Sequence, residues 1–257
     1  MSVMVMMLAA FVDVNGLHLY YEVHGKPTAN PPLVLLHGGG SSIETSFAPV
    51  IEQFAKHRQV IAFDQQGHGR TADILDRPFS FEQSADDTAA LLAHLGIKQA
   101  DFLGYSNGGT IAMQIAIRHP KLVHKLVVMS ANYRRDGMQP WFWDMMAHAS
   151  LKDMPADLKE TYRRLAPHPE QLQSFHDKSV KRMLEFKDIP NEALKAIQSP
   201  ALVMIGDRDV IRPEHAADLY RLLPHAQLAI VPGADHMQMV EWRAPQVSMV
   251  ETFLDSP

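Results

Sequence analysis

Cysteine is absent from the 257 residues. That excludes disulfides, thiolate zinc sites and a cysteine nucleophile together, and it fits a reducing, cytoplasmic setting. Positive charge is also scarce: 24 Lys and Arg face 29 Asp and Glu, for a formal net charge of -5. No basic run offsets that balance, which argues against a nucleic-acid partner. No apolar stretch is long enough to cross a bilayer, so no membrane partner is expected. The start, "MSVMVMMLAAFVDV", has an apolar core of signal-peptide length but no basic leading segment. Strand-like sequence follows almost at once, so it reads as a short tail leading into the first strand. The glycine runs do not match G-x-x-x-x-G-K-[ST], and the histidines of "HGGG", "GHG" and "ADH" lack zinc spacing. Neither metal nor other cofactor is therefore expected. Internal repeats and low-complexity segments are missing too. What remains is 46% apolar and 21% charged, an ordinary soluble composition. The length is one that α/β folds reach as a single unit.

Two alternating segments, "FVDVNG" and "LHLYYEVHG", flank the turn Asn15-Gly16, a strong hairpin signal. Then short continuous apolar runs alternate with amphipathic stretches. "LVLLHG" is followed by a helix to Lys56, and "QVIAFDQQGHG" by a helix over about Ser84 to Leu95. "ADFLGYS" is followed by a helix ending near His119-Pro120, and then comes "KLVVMSA". Such runs read as strands buried on both faces, in a doubly wound, mostly parallel sheet with helices on either side. The alternation breaks after Ala131. From Arg134 to Gln198 the pattern is helical only, rich in Met, Trp, Phe and charge. It resumes with "PALVMIGDRD", a helix over Pro213 to Leu223, "AQLAIVPGADH" and a last helix to Leu254. The expected organisation is a core of residues 1–133 and 199–257, interrupted by a helical cap at 134–198.

One corner of this pattern carries chemistry. Gly104-Tyr105-Ser106-Asn107-Gly108 has the form G-x-S-x-G between a predicted strand and a predicted helix. A nucleophile on so sharp a turn accepts unfavourable backbone angles, and its small neighbours let strand and helix approach. The backbone N–H of Asn107 then points, at a helix N-terminus, to where negative charge would develop. Serine needs a base. Of 14 histidines, His236 in "VPGADHMQ" is the best placed, late in the chain and in a loop after a strand. "MIGDRD" offers Asp207 and Asp209 as the carboxylate that orients the imidazole. The glycines of "LLHGGGSS" let backbone approach a substrate closely, which makes Gly39 the second oxyanion donor. Such a donor is typically worth about 3 to 4 kcal/mol in the transition state.

HGGG, "DQQGHGRT", GYSNGG, "PALVMIGDRD" and "PGADH", in this order along nearly the whole chain, resemble the α/β-hydrolase fold superfamily. The Ser, Asp, His order is the one that resemblance implies. It also implies that the acid stands three residues after the glycine closing its strand, which assigns Asp209 ahead of Asp207. The alternative acid position, after the preceding strand, reads "MSANY" and holds no carboxylate. Gln66 and Thr71 depart from the common D-x-R-G-x-G-x-S turn, which is taken as structural. Related haloalkane dehalogenases and epoxide hydrolases use an aspartate nucleophile, so Ser106 argues against both. The cap would lie over Ser106, with Trp141, Phe142, Trp143, Met145 and Met146 as its most apolar piece. Met and aromatic side chains make adaptable apolar pockets, so these residues are expected to wall the acyl site.

The expected activity is hydrolysis of small acyl esters or lactones, acyl-homoserine lactones included, through an acyl-serine intermediate. The partner is then a small molecule. Carbon–carbon bond hydrolysis of ring-cleavage products is the alternative, disfavoured by Ser41-Ser42 and by "YSNGG" where that branch often has "NSMGG". A cofactor-free haloperoxidase is disfavoured by Gly39 and Asn107. A slow-turnover ligand receptor on the same fold is the non-enzymatic reading.

Overall fold

The computed structural model describes residues 7–257, and the first six residues of the leading tail lie outside them. Asn15 and Gly16 both adopt positive φ, at 50° and 77°. That is the geometry that lets a two-residue turn join strands without splaying them. It pairs β1 (Met7–Val14) antiparallel with β2 (Leu17–His24). The strand thus begins inside the apolar start rather than at Phe11.

The other strands are β3 (Leu33–Leu36), β4 (Val60–Phe63), β5 (Ala100–Tyr105), β6 (Val123–Met129), β7 (Ala201–Gly206) and β8 (Ala226–Val231). They form one sheet in the order β1-β2-β4-β3-β5-β6-β7-β8. It is parallel from β4 to β8. In β3, Val34 and Leu36 join the core on one face, while Leu33 and Leu35 join the core on the other. Both faces are covered, so every residue of β3, β4, β5 and β7 is buried. That is why these strands read as continuous apolar runs rather than alternating ones.

The single helix expected up to Lys56 is two short ones, α1 (Ile43–Phe47) and α2 (Ile51–Phe54). Pro49 stands between them, and a proline ring cannot continue the preceding helix. Helix α3 (Phe81–His94) starts earlier than expected because Ser80 caps it, accepting from the Gln83 N–H. Helix α4 (Asn107–Arg118) follows β5 directly.

Between β6 and β7 lie α5 (Phe142–Ala147), α6 (Ala156–Leu165), α7 (Leu172–Leu184) and α8 (Asn191–Lys195). Only an isolated bridge, Met138 to Ile211, breaks this helical stretch. Leu158 of α6 and Met183 of α7 line the space above Ser106. Leu194 of α8 is buried in the main core. Helices α9 (Pro213–Leu222) and α10 (Ala244–Asp255) complete the fold. No described helix is long and apolar enough to cross a membrane.

Candidate active site

Ser106 sits at the end of β5 with φ 54° and ψ -123°, a left-handed conformation that costs a non-glycine residue free energy. Close packing enforces it. A Cβ on Gly104 would lie 2.2 Å from the Gly108 carbonyl oxygen, and one on Gly108 would lie 1.9 Å from that of Leu36. The Ser106 N–H donates to the Met129 carbonyl at 2.8 Å, which ties the corner to β6. The motif's glycines are therefore there for contact between β5, α4 and the end of β3.

His236 Nε2 is 3.0 Å from Ser106 Oγ, and His236 Nδ1 is 2.7 Å from Asp209 Oδ1. Asp209 is buried and also accepts from the Ile211 N–H at 3.1 Å. Burial pushes its carboxyl up. The charge and hydrogen bond of His236 and the Ile211 N–H outweigh burial and hold it below the usual carboxylate range. Asp209 therefore remains an anion, able to fix the Nδ1–H tautomer. Asp207 turns elsewhere and accepts from the Gly233 N–H at 2.7 Å.

Gly39 and Asn107 both line the cavity beside Ser106. Asn107 is the first residue of α4, so its N–H has no intrahelical acceptor. A Cβ on Gly39 would come within 2.2 Å of Asn107 Nδ2, so the two residues are in close contact.

The turn "DQQGHGRT" braces this loop. The Gln65 N–H donates to His37 Nε2 at 3.0 Å, and Gln65 Nε2 donates to the His37 carbonyl at 2.8 Å. Because His37 Nε2 accepts, its proton sits on Nδ1, which donates to the Gly38 carbonyl at 2.8 Å. Burial lowers His37 to about 4, keeping it neutral. Asp64 anchors the turn from below, accepting from the N–H groups of Ile43 and Arg70, both at 2.9 Å. Thr71 Oγ1 donates to the Asp64 carbonyl at 2.7 Å. Gln66 Nε2 binds Asp73 and the Arg77 carbonyl. Gln66 and Thr71 thus both hold the turn's shape.

Above Ser106 lies a cavity of about 420 Å³. Its wall is mostly apolar and methionine-rich, with Met138, Met146, Met154, Met183, Phe142 and Leu158. Met145 lies at its edge and is 45% exposed. Trp141 and Trp143, expected in the wall, are not part of it. Trp141 is 52% exposed. Trp143 donates from Nε1 to the Arg135 carbonyl at 2.8 Å and stacks under the Arg135 guanidinium. The reason is helical period: Phe142, Met145 and Met146 share one face at i, i+3 and i+4, and the two tryptophans fall off it.

Sequence reasoning passed over Tyr105. Its hydroxyl donates to the His236 carbonyl at 2.8 Å, and its ring lies against the imidazole. Burial raises that hydroxyl far above its ordinary pKa, so it stays a donor. A tyrosine in the variable position of the motif gives no sequence signal for that bond.

A family model described as "alpha/beta hydrolase fold" matches residues 31–195. Serine hydrolase BPHL of Homo sapiens is 28% identical over 263 residues, which covers 96% of this chain and 86% of BPHL. RutD of Caulobacter sp. (strain K31), provisionally named a carbamate hydrolase, is 30% identical over 239 residues, covering 85% of this chain and 88% of RutD. Among solved structures, 2-hydroxy-6-oxo-6-phenylhexa-2,4-dienoate hydrolase (BphD) from Rhodococcus sp. strain RHA1 superposes with a TM-score of 0.81. It is 21% identical, with 98% of this chain and 100% of that chain covered, a likeness that speaks for the fold. The family match spans most of the chain and coincides with the strand order and the serine corner, so the chain belongs to the α/β-hydrolase fold family.

Proposed function

We propose that the protein hydrolyses carboxylic esters or lactones of small acyl groups through an acyl-serine intermediate. The observation that supports this most directly is the unbroken line Ser106–His236–Asp209, with contacts of 3.0 and 2.7 Å, at the floor of an apolar cavity. Ser106 Oγ attacks the carbonyl carbon while His236 Nε2 takes its proton. Asp209 holds the Nδ1–H and stabilises the imidazolium that forms. The backbone N–H groups of Gly39 and Asn107 hold the oxyanion. His236 returns the proton to the leaving alkoxide. In a lactone that alkoxide stays tethered to the acyl group, and water then completes hydrolysis by the same steps in reverse. Residues 134–198 act as the cap that shapes the acyl pocket.

The test is to follow a short acyl ester and a long-chain acyl-homoserine lactone side by side, with wild type and Ser106→Ala. Turnover in the range of about 1 to 1,000 per second on either substrate, lost in the variant, supports the reading. Full activity in Ser106→Ala removes the assigned nucleophile. Tight binding with far slower turnover by wild type makes the protein a receptor instead.

A further inference from the structure

The polar side chains that line the cavity fall into two groups. Most are already engaged. Ser106 and His236 bond each other, and Ser150 Oγ donates to Asp153 at 2.7 Å. Ser179 Oγ donates to the Phe175 carbonyl at 2.8 Å, and His176 Nδ1 lies 3.1 Å from the Asp177 carboxylate. Asn107 and Asn132 differ. Both line the cavity, and among the described residues neither carboxamide has a hydrogen-bond partner. They are 7% and 3% exposed, and Asn132 Nδ2 is buried without an acceptor. Their partners must come from the cavity, as water or as substrate. A buried carboxamide left without one is costly. Two of them beside a nucleophile therefore call for an explanation by what the cavity binds.

Both asparagines stand at the first turn of α4. Asn107 follows Ser106 directly. Asn132 lies just past the end of β6 and is pressed to the same turn. A Cβ on Gly109 would come within 2.6 Å of Ala131 Cβ, and Thr110 Oγ1 donates to the Asn132 carbonyl at 2.9 Å. A group that both carboxamides bind is therefore only a few bonds from the carbon that Ser106 attacks. Their orientations are complementary. Asn107 Nδ2 lies 2.2 Å from where a Gly39 Cβ would be, so its NH₂ turns to that loop and its Oδ1 is left as a free acceptor. Asn132 Nδ2 is a free donor. One acceptor and one donor match the N–H and C=O of a secondary amide. The neighbouring wall of Met138, Phe142, Val210 and Ile211 is apolar.

We propose that Asn107 and Asn132 form an amide-reading subsite, and that the substrate is an ester or lactone of an N-acylated α-amino acid. Asn107 Oδ1 accepts from the substrate amide N–H, Asn132 Nδ2 donates to the amide carbonyl, and the apolar wall receives the N-acyl group. This rests on the acyl-serine reading above and narrows its substrate class. Two bonds to one planar amide also orient the scissile carbonyl before attack.

The experiment compares methyl esters of nearly equal shape by methanol release. Methyl N-acetylglycinate carries the amide. In methyl 4-oxopentanoate a CH₂ replaces the N–H, and in methyl pentanoate a CH₂ also replaces the C=O. Each kcat/KM is divided by that ester's rate constant with hydroxide, which removes intrinsic reactivity. Wild type should then prefer each ester to the next by at least about tenfold, the discrimination expected when a buried polar group finds its partner. Asn132→Leu should abolish the preference for 4-oxopentanoate over pentanoate, because the donor to the carbonyl is gone. Asn107→Leu keeps the backbone N–H but should abolish the preference for N-acetylglycinate over 4-oxopentanoate.

Equal normalised rates on all these esters in wild type overturn the proposal whether or not the variants fold. Variants that slow every ester alike would make the asparagines structural, and that too overturns it. Hydrolysis abolished by Ser106→Ala, with ester ratios indifferent to both asparagine substitutions, leaves the acyl-serine reading standing and removes this one. If wild type cleaves none of the esters, methyl N-acetylglycinate and methyl pentanoate are titrated into Ser106→Ala and into Ser106→Ala/Asn132→Leu. Tighter binding of the amide that is lost in the double variant supports the subsite. No binding, or equal binding of the two esters, sinks it.

Discussion

The floor and the roof of the site are built by different means. The floor, from the end of β3 through Ser106 to α4, is held by backbone contacts closer than any side chain would permit. The roof, α5 to α7, is held by side chains: a methionine-rich wall, a small cluster of Phe79, Tyr162, Leu172 and Phe175, and exposed groups such as Trp141. Positions fixed by backbone approach tolerate almost no change, because atoms of the main chain cannot rotate away. Positions fixed by flexible side chains can repack, as a pocket for varied acyl groups requires. Strain is concentrated in the floor, where Ser106 is kept in an unfavourable conformation by neighbours that cannot move.

The contrast can be broken first at its chemical end. Asp209→Asn should leave the fold intact but misorient His236, lowering kcat by about 10⁴-fold. A loss under about tenfold on the best ester would show that Asp209 does not hold the imidazole. Next comes Gly108→Ala, whose Cβ would meet the Leu36 and His37 carbonyl oxygens at 1.9 and 2.7 Å. Urea denaturation should show a loss of at least about 4 kcal/mol. Gly39→Ala meets the end of the Asn107 side chain, which can swing aside. It should cost under about 1.5 kcal/mol of stability but about 10²-fold in kcat. If the two alanines destabilise equally, the distinction between backbone and side-chain contact fails.

Acid tests the buried histidines collectively. His37 and His215 are both lowered to about 4, chiefly by burial, against an ordinary 6.5. Their native pKa values lie below the unfolded value, so the unfolded chain binds the extra protons. Their contribution is complete above about pH 6.5 and is lost as pH falls toward 4, at up to about 3 kcal/mol each. Asp64, raised to about 6 by burial, acts in the opposite sense between its ordinary 3.8 and 6. His68, lowered in the same way as the other two histidines, adds to their side. The urea midpoint should therefore fall steadily from pH 7 to pH 4.5. A midpoint that rises on acidification would contradict the buried neutral histidines.

A pair of substitutions sharpens the roof, and its second member has the smallest expected effect. Phe142→Ala removes a buried ring that lines the cavity, so it should cost about 3 kcal/mol and change acyl-length preference. Trp141→Ala removes a half-exposed ring outside the cavity and should stay within about 0.5 kcal/mol, with rates unchanged within about twofold. Thermal melts and an ester series from acetate to octanoate measure both.

Much of the floor is legible in the order of the amino acids. Ser106, Gly104 and Gly108 announce a corner because close backbone approach demands glycine at fixed offsets. His236 and Asp209 were reachable because each follows a strand end, where a parallel sheet gathers its loops on one edge. The choice between Asp207 and Asp209 was not open to spacing alone, since two residues in one short turn can face opposite ways. In the roof, Trp141 and Trp143 drew attention by size, yet the three-to-four spacing of Phe142, Met145 and Met146 was the better guide. Gln65 gave no signal, because its bonds to His37 join two loops 28 residues apart.

From the order of amino acids alone came the fold class, the hairpin, the strained serine and the sequence of acid and base along the chain. These follow from local rules, such as burial on both faces of a strand, or a glycine where no Cβ fits. Tertiary structure alone decided which face of α5 turns to the cavity, and that the buried Arg58 meets both Asp101 and Asp255. Each of those depends on the neighbours that distant segments supply, and a charge is paired or unpaired only once the chain has closed around it.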